Sequence, residues 1–228
     1  VSVSANFGPV GIAVDSNNHP HISHAVSGQH CGDGLRLASY TGSTWTYRSV
    51  DMGSNRGCDS DIVIDGNDNI YISYQVRDQS KLKVATNKSG SWDAYTADSG
   101  ASLSSLYPGY MTSMVMDGQG QLHIAHFDDK DDNLRYSTGI TNGPWTTTIV
   151  EHSGHTGREP SIAVDAADNP HIVYHSWNGF VLKYATLNSA TSSWTTSTIS
   201  NADVGNGDSL FIDQNGVMHI SFYDADSE

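Results

Sequence analysis

The chain has 228 residues, of which 37% are hydrophobic, and 25 acidic against 11 basic side chains give it a formal net charge of −14. This charge argues against nucleic acids and anionic membranes as partners, because both are bound mainly through Lys and Arg. No apolar run approaches the roughly 20 residues that cross a bilayer, so we expect no membrane insertion. The opening "VSVSANFGPVG" lacks the features of a signal peptide, as a processed chain would.

An apolar run that ends in Asp recurs five times. The runs "GIAVD", "DIVID", "SMVMD", "SIAVD" and "LFID" end at Asp15, Asp65, Asp117, Asp165 and Asp213, with spacings of 50, 52, 48 and 48 residues. Six residues after each Asp, a second β-rich run begins with His21, Tyr71, His123, His171 or His219. We expect each Asp to accept backbone N–H groups in its own tight turn and the His/Tyr series to be structural.

Two more runs complete the first four copies. The third runs "LRLASY", "LKVATN", "LRYSTG" and "LKYATL" carry Arg36, Lys83, Arg135 and Lys183, which we interpret as inter-strand partners. The fourth runs begin at residues that we interpret as packing anchors between repeats: Trp45, Trp92, Trp145 and Trp194. All these runs are rich in Val, Ile, Thr, Tyr and Trp, and Asn-, Gly- and Asp-rich turns separate them, which is typical of strands.

One four-stranded antiparallel sheet per 40–50 residues or so is the signature of a β-propeller blade. We therefore predict an all-β chain that forms a single β-propeller domain over residues 1–228, with about five four-stranded antiparallel blades. The predicted blades cover approximately residues 8–57, 58–109, 110–157, 158–205 and, incompletely, 206–228.

The fifth copy stops at "HISFYDADSE", before its third and fourth runs. Val1–Phe7 alternate apolar and small residues as a strand does, and they are a candidate for one outer strand. Three explanations stay open: the chain is a fragment of a longer repeat array, a neighbouring chain adds a strand, or the last blade holds fewer strands.

The phrase "SIAVD…NPHIVY…LKYAT…SSWTT" resembles a repeat of secreted and surface-anchored bacterial and archaeal proteins, which is distantly similar to sialidase-type (BNR) repeats. In length the chain is also similar to five-bladed lectins of the tachylectin type. The resemblance implies a propeller that is secreted or displayed on the cell surface. The sialidase aspartate box, Ser-x-Asp-x-Gly-x-x-Trp, is not found, which argues against a sialidase.

Cys31 and Cys58 lie in loops of neighbouring predicted blades. Because neighbouring blades bring such loops together, we predict a disulfide between them. A zinc site is the weaker alternative, since two Cys and the adjacent His30 leave it one ligand short.

Residues that depart from the repeat gather in the loops that we expect on one face of the propeller, where function usually lies. Trp177 with His175 suits stacking on a sugar, Arg158 suits a carboxylate, and a His suits acid–base chemistry. The alternative for each is an ordinary packed or solvated loop residue. The candidate ligand-binding residues are Arg56, Tyr107, His152, His155, Arg158, Glu159, His175 and Trp177.

The run "DDKDDN" holds four carboxylates, and calcium takes six to eight oxygen ligands. A calcium site is therefore one interpretation, although the spacing differs from an EF-hand, and a solvated hairpin tip is the other. Its members are Asp128, Asp129, Asp131 and Asp132. No other cofactor is expected.

Three functions fit these observations. The first is a non-catalytic recognition or assembly module that binds glycan or an extracellular protein through the loop face. The second is a propeller-type glycoside hydrolase or polysaccharide lyase, which predicts that Arg56, His152, His155, Arg158 and Glu159 converge on one cleft. The third is a structural repeat or filament subunit that self-associates by completing its last blade. The absence of a catalytic motif favours the first.

Overall fold

A computed structural model describes residues 10–26, 31–99, 112–128, 131–152, 154–188, 191–200 and 207–223. These residues form 17 strands and one short 3-10 turn at Arg77–Gln79, which confirms the all-β prediction. Within the described ranges there is no helix of the length and hydropathy that a bilayer crossing requires. The chain divides into two compact units, and each is described by itself. The prediction of one domain stays a prediction.

Unit 1 comprises Val1–Gly109 with Thr141–Pro144 and holds repeats 1 and 2 in one antiparallel sheet of seven strands in sequence order. β4 is 20 residues long because the fourth strand of repeat 1 continues without a break into the first strand of repeat 2. Its first half pairs with β3 and its second half pairs with β5. The strands are β1 (Gly11–Val14), β2 (Pro20–Ala25), β3 (Gly32–Tyr40), β4 (Trp45–Ile64), β5 (Ile70–Val76), β6 (Lys81–Thr86) and β7 (Asp93–Asp98).

Unit 2 comprises Tyr110–Ile140 with Trp145–Glu228 and holds repeats 3, 4 and 5 in three separate antiparallel sheets. Repeats 3 and 4 each form four strands and repeat 5 forms two, as predicted. Val1–Phe7, the candidate outer strand, lie outside the described residues. Repeat 3 forms the sheet of β8 (Thr112–Met116), β9 (Leu122–Asp128), β10 (Asn133–Gly139) and β11 (Trp145–Glu151). Repeat 4 forms the sheet of β12 (Thr156–Val164), β13 (Pro170–Ser176), β14 (Val181–Asn188) and β15 (Ser193–Ser200). Repeat 5 forms β16 (Ser209–Ile212) and β17 (Met218–Ser221).

The five recurrent aspartates close the turn between the first and second strand of every repeat, which confirms their predicted role. In each copy Oδ1 accepts the backbone N–H groups two and four residues further on, at 2.8–2.9 Å. The His or Tyr six residues on lies 3.0–3.4 Å from Oδ2. Each aspartate thus closes its turn with groups of its own repeat, and two of the turns also bond to the next repeat, since the Ser16 and Gly118 N–H groups donate to Asp68 and Asp168 at 2.8 and 3.2 Å.

The second strand of a repeat supplies the centre of each core, since β5 and β9 are buried along their whole length. All four Trp residues of the series are expected to pack between repeats; two pack against these cores, whereas Trp45 is 40% exposed and contacts Tyr40 of its own repeat. Trp92 contacts the core of unit 1. In unit 2, Trp194 meets Tyr136 edge-on at 5.0 Å and donates to Thr148 Oγ1 at 3.2 Å.

Among the described residues, each unit holds one cluster of an acid, a Tyr and a Lys. Lys83 and Lys183 lie opposite Tyr74 and Tyr174 on the neighbouring strand, which confirms the inter-strand role predicted for these lysines. Tyr174 and Lys183 both donate to Glu151, which ends the fourth strand of the preceding repeat. The cluster therefore ties repeat 4 to repeat 3.

Candidate functional site

The candidate site lies in unit 2, where β12 begins. Its register against β13 shifts between Thr156 and Arg158 and again between Arg158 and Ser161, so two bulges interrupt the ladder. Gly157 has φ of 98°, and a Cβ there would lie 2.6 Å from Leu134 Cα, so only glycine fits. The bulges re-aim the Arg158 and Glu159 side chains at the strand end, which is a common use of bulges beside binding sites.

Arg158 forms the centre of an aromatic cluster. Its guanidinium carbon lies 3.8 Å from the centroid of the Trp177 ring and 5.1 Å from that of Phe127. Cation–π contacts of this kind hold both partners in place. The Trp177 side chain is nonetheless 44% exposed, so the cluster presents aromatic surface to solvent.

His175 and Phe180 extend this cluster along the β13–β14 hairpin. His175 lies opposite Arg158 in the strand register and is buried. Its ring is 6.5 Å from that of Phe180, which is exposed in the hairpin turn. An aromatic surface beside polar side chains results.

Two carboxyl groups, Glu159 and Asp208, lie beside the cluster. Glu159 is buried, has a left-handed φ of 48°, and accepts the backbone N–H of Gly207. Burial raises the pKa of Glu159, although the Gly207 N–H and the Arg158 charge oppose the shift. Burial, and then the charge of Glu159, raise the pKa of Asp208 to about 7.

Both carboxyl oxygens of Asp208 are buried and accept no hydrogen bond from any residue that the structure describes. A buried carboxyl without such bonds favours its protonated form. Clustered acids with raised pKa values are frequent at active sites, where one of them donates a proton.

The structure brings four of the sequence-derived candidates together, namely Arg158, Glu159, His175 and Trp177. His155 is adjacent, because its carbonyl accepts the Trp177 N–H at 2.9 Å, and its Nδ1 lies 3.0 Å from Asp132 Oδ2. His152 is exposed between β11 and β12.

Arg56 belongs to unit 1, and its convergence with Arg158 stays a prediction. Its guanidinium pairs with Asp51, which also accepts Tyr74 Oη at 2.6 Å and lies 3.8 Å from Lys83 Nζ. Arg56 is therefore part of the acid–Tyr–Lys cluster of unit 1, which Asp51, Tyr74 and Lys83 form. Tyr107 lies outside the described residues.

The disulfide between Cys31 and Cys58 is present, as predicted, and joins the start of β3 to β4. One residue further on, Asp59 is buried with a left-handed φ of 48°. Burial raises the pKa of Asp59 to about 8, against the opposing charge of Arg77.

The predicted calcium ligands have other contacts. Asp128 is fully buried with its Oδ2 3.4 Å from Arg135 Nη1, and Asp132 pairs with His155. Asp129 lies outside the described residues. Among the residues that the structure does describe, no three His, Cys, Asp or Glu side chains are grouped to hold a metal ion. Calcium binding by Asp128, Asp129, Asp131 and Asp132 stays a prediction.

The sequence analysis missed Asp208, Asp59 and Phe127. Asp208 could have been found from its position in the repeat. It lies five residues before the recurrent Asp213, and Glu159 lies six residues before the recurrent Asp165. An acid at this point in two repeats places carboxyls at the same end of neighbouring first strands.

No protein-family model and no curated protein matches this sequence. Among solved structures, the chain is similar to an α-L-arabinanase from Penicillium chrysogenum complexed with arabinobiose, at 9% identity and a TM-score of 0.62 over 94% of this chain and 74% of that one. It is also similar to a GH43 β-1,3-galactosidase with galactodeoxynojirimycin, at 10% identity and a TM-score of 0.58 over 93% and 84% of the two chains.

A third similar structure is an exo-β-1,3-galactanase from Phanerochaete chrysosporium with galactose, at 10% identity and a TM-score of 0.53. The match covers 83% of this chain, which spans 48% of the galactanase. At these identities the likeness concerns the fold. It confirms the β-propeller prediction of about five antiparallel blades, and the fifth has two strands among the residues that the structure describes.

Proposed function

We propose that the chain is a carbohydrate-active enzyme, a glycoside hydrolase whose reacting groups are Glu159 and Asp208. The observation that carries this proposal is the buried carboxyl pair beside an exposed aromatic surface. The fold likeness to propeller glycoside hydrolases supports this alternative over the non-catalytic module that the sequence favoured.

Glycoside hydrolysis uses one protonated carboxyl to donate a proton to the leaving oxygen and one carboxylate to activate water or attack the sugar. Asp208 is the candidate acid, because its pKa of about 7 keeps a large protonated fraction at neutral pH. Glu159 is the candidate carboxylate: burial raises its pKa, and the Gly207 N–H and the Arg158 guanidinium oppose that shift, whereas Asp208 has no such donors among the described residues.

The sugar-binding surface in this proposal consists of Trp177 and Phe180. Both are exposed in the β13–β14 hairpin next to His175. A pyranose or furanose presents an apolar face to such rings, while Arg158 and His175 are within the same cluster as hydrogen-bond donors. Arabino- and galacto-oligosaccharides are the first substrates to test, since they are the sugars of the similar structures.

The test is release of reducing sugar from arabinan, β-1,3-galactan and their oligosaccharides, for the wild type and for D208N and E159Q. We expect each variant to lose at least about 100-fold in rate. Asp93→Asn is the matched control, because it removes one carboxylate from the β6–β7 hairpin of unit 1, and we expect wild-type rates. Hydrolysis that survives both D208N and E159Q would contradict the assignment.

A recognition module without turnover is the second candidate, favoured by the exposure of Trp177 and Phe180. It predicts retention of the protein on one of these glycans, loss of retention in W177A, and no released sugar. For either function we place the protein outside the cytoplasm, secreted or at the cell surface. The Cys31–Cys58 disulfide supports this, since disulfides persist in oxidising compartments.

A further inference from the structure

Two hydrogen bonds join successive repeats of unit 2 at the same position of the repeat. The Leu210 N–H of repeat 5 donates to Ser161 Oγ of repeat 4 at 2.9 Å. The Ile162 N–H of repeat 4 donates to Ser113 Oγ of repeat 3 at 3.2 Å. Each serine lies four residues before the recurrent aspartate of its own repeat, and each donor lies three residues before that of the next repeat. A serine hydroxyl therefore links neighbouring first strands in both places.

The Ser161–Leu210 bond lies directly beside the acid pair. Ser161 comes two residues after Glu159 on β12, and Leu210 on β16 comes two residues after Asp208. The Gly207 N–H donates to Glu159, so the two segments are bonded at two successive points and run in the same direction. Fixing Leu210 to Ser161 therefore fixes the position of Asp208 along β12.

Apolar packing of β16 does not set this position by itself. Leu210 is buried and packs with Val173 and Leu182. Hydrophobic contacts are non-directional, whereas a hydrogen bond weakens steeply when its length or angle changes. Ser161 is also the residue at which the β12–β13 ladder resumes after the second bulge, where it pairs with Val173. The bond thus ties the segment that carries Asp208 to a well-paired strand.

Ser113 forms the same kind of bond without an acid pair. The residues two positions before Ser113 and Ile162 are Met111 and Pro160, so neither is a carboxylic acid. Ser113 and Ser161 are both partly buried. Ser113 is therefore a matched control for the loss of one serine bond between repeats.

We propose that Ser161 is a positioning residue that holds the Asp208 carboxyl beside that of Glu159. The inference rests on the proposed function, in which these two groups act on a glycosidic bond. The charged groups at this end of β12 are Glu159 and Arg158, and His175 of β13 lies opposite Arg158. The charge of Glu159 acts with burial to raise the pKa of Asp208, and its effect depends on the distance between the carboxyls. Loss of the serine bond should therefore weaken the coupling of the two titrations.

The titration of Glu159 tests this coupling without any substrate. The chain has three glutamates, Glu151, Glu159 and Glu228, so carbon NMR of the full chain with isotopically labelled glutamate carboxyls gives three signals. E159Q assigns the Glu159 signal. We expect this signal to show a second step at about pH 7, where Asp208 ionises, and D208N to remove that step. In S161A the step should shrink at least about twofold.

Two variants control for effects other than position. S161T keeps the hydroxyl and should keep the step at its wild-type size. S113A removes the equivalent bond between repeats 3 and 4, and it should keep the step as well. Circular dichroism confirms that every variant is folded, so a smaller step in S161A alone cannot come from a general loss of structure.

Catalysis provides the second readout. With a glycan that the wild type hydrolyses, S161A should lower kcat at least about tenfold and change KM less than about twofold. KM is expected to hold because the proposed sugar-binding surface, Trp177 and Phe180, belongs to the β13–β14 hairpin and not to β16. S161T should restore kcat, and S113A should have the wild-type kcat.

A step of wild-type size in S161A overturns the inference, and so does a wild type without a second step that D208N removes. It is also overturned if S113A reduces the step as strongly as S161A, or if S161T fails to keep it, because the Ser161 hydroxyl would then not be the cause. Failure of the proposed function looks different: no glycan is hydrolysed, while the step and its dependence on Ser161 persist.

Discussion

Residues 55–64 of unit 1 and residues 155–164 of unit 2 have left-handed backbone at the same positions but carry different side chains. Both segments follow the end of a fourth strand and enter the first strand of the next repeat. The left-handed residues recur at an offset of 100: Asn55 and His155 at 58° and 52°, Gly57 and Gly157 at 76° and 98°, Asp59 and Glu159 both at 48°. The repeat therefore specifies the kinks as well as the strands.

The side chains at these kinks differ in what they do. Cys58 forms a disulfide with Cys31, whereas its counterpart Arg158 stacks on Trp177. The acid that follows is buried in both units, but Glu159 has Asp208 beside it, while Asp59 has Arg77. The same backbone kinks thus position a disulfide in unit 1 and a candidate acid pair in unit 2. A fold that repeats its strained positions can place different chemistry on each.

The largest effect is expected from Gly157→Ala, which disrupts one of the shared left-handed kinks. A Cβ at this position would meet Leu134 Cβ at 2.5 Å in a left-handed conformation, so we expect a loss of at least about 3 kcal/mol in the free energy of unfolding. Chemical denaturation measures it. Gly154→Ala is the control, because Gly154 is also left-handed but has nothing within 4 Å, and it should lose only about 1 kcal/mol. Equal losses would contradict a steric cause.

Next in size is removal of the cross-link that distinguishes unit 1. The disulfide closes a separation of 27 residues, and replacing both cysteines in C31S/C58S should cost about 3–4 kcal/mol of unfolding free energy. Denaturant melts of the wild type with and without reductant provide the control. A double variant that melts like the oxidised wild type would show that β4 holds its path without the cross-link.

The buried acids should show a smaller effect with an informative sign. The pKa values of Asp208 and Asp59 are raised to about 7 and about 8, so folding favours their protonated forms. Their ionisation therefore lowers stability as pH rises from about 4 towards these values. We expect D208N and D59N to be more stable than the wild type at pH 9, by roughly 1–3 kcal/mol after solvent screening, and no more stable at pH 3.

Thermal melts across this pH range measure the difference. In the proposed enzyme D208N gains stability and loses activity together, which is the signature of a residue kept for function. A D208N variant that is destabilised at pH 9 would contradict the burial of an unsatisfied carboxyl.

The smallest effect concerns the turn that all repeats share. Burial acts to raise the pKa of Asp165, but hydrogen bonds from Asn169 and from backbone N–H groups outweigh it and lower the pKa to about 2. A lowered pKa contributes stability that is complete above about pH 4 and is lost as pH falls towards 2. We expect D165N to remove about 1 kcal/mol of this acid-dependent stability in melts at pH 2–5. An unchanged pH profile would contradict this contribution.

Much of the fold could be predicted because strand and turn residues recur at the same positions in every repeat. The 48–52-residue period gave the strand order, the Asp turns, the packing of Trp92 and Trp194 and the cysteine pair. The continuity of β4 across two repeats could not be predicted, because "DMGSNRG" has the composition of a loop. Its strand geometry depends on β3 and β5 on either side.

The candidate site was predicted only in part. Arg158, Glu159, His175 and Trp177 stand out because they depart from the repeat, and they do lie together. Asp208 is 49 residues from Glu159, and only the packing of β12 beside β16 makes them neighbours. The left-handed backbone at Glu159, which turns an ordinary loop acid into a buried one, has no composition signal at a non-glycine residue.

The Asp turn has a consequence for how such a protein changes in length. Oδ1 of each recurrent aspartate draws its donors from the four residues that follow it, as at Asp15, Asp117 and Asp213. A cassette inserted at this period therefore brings its own turn with it. What it has to re-form is the bonds between successive repeats, such as that of the Leu210 N–H to Ser161 Oγ at 2.9 Å, and an engineered extra copy with the same residues at these positions should fold as a further repeat.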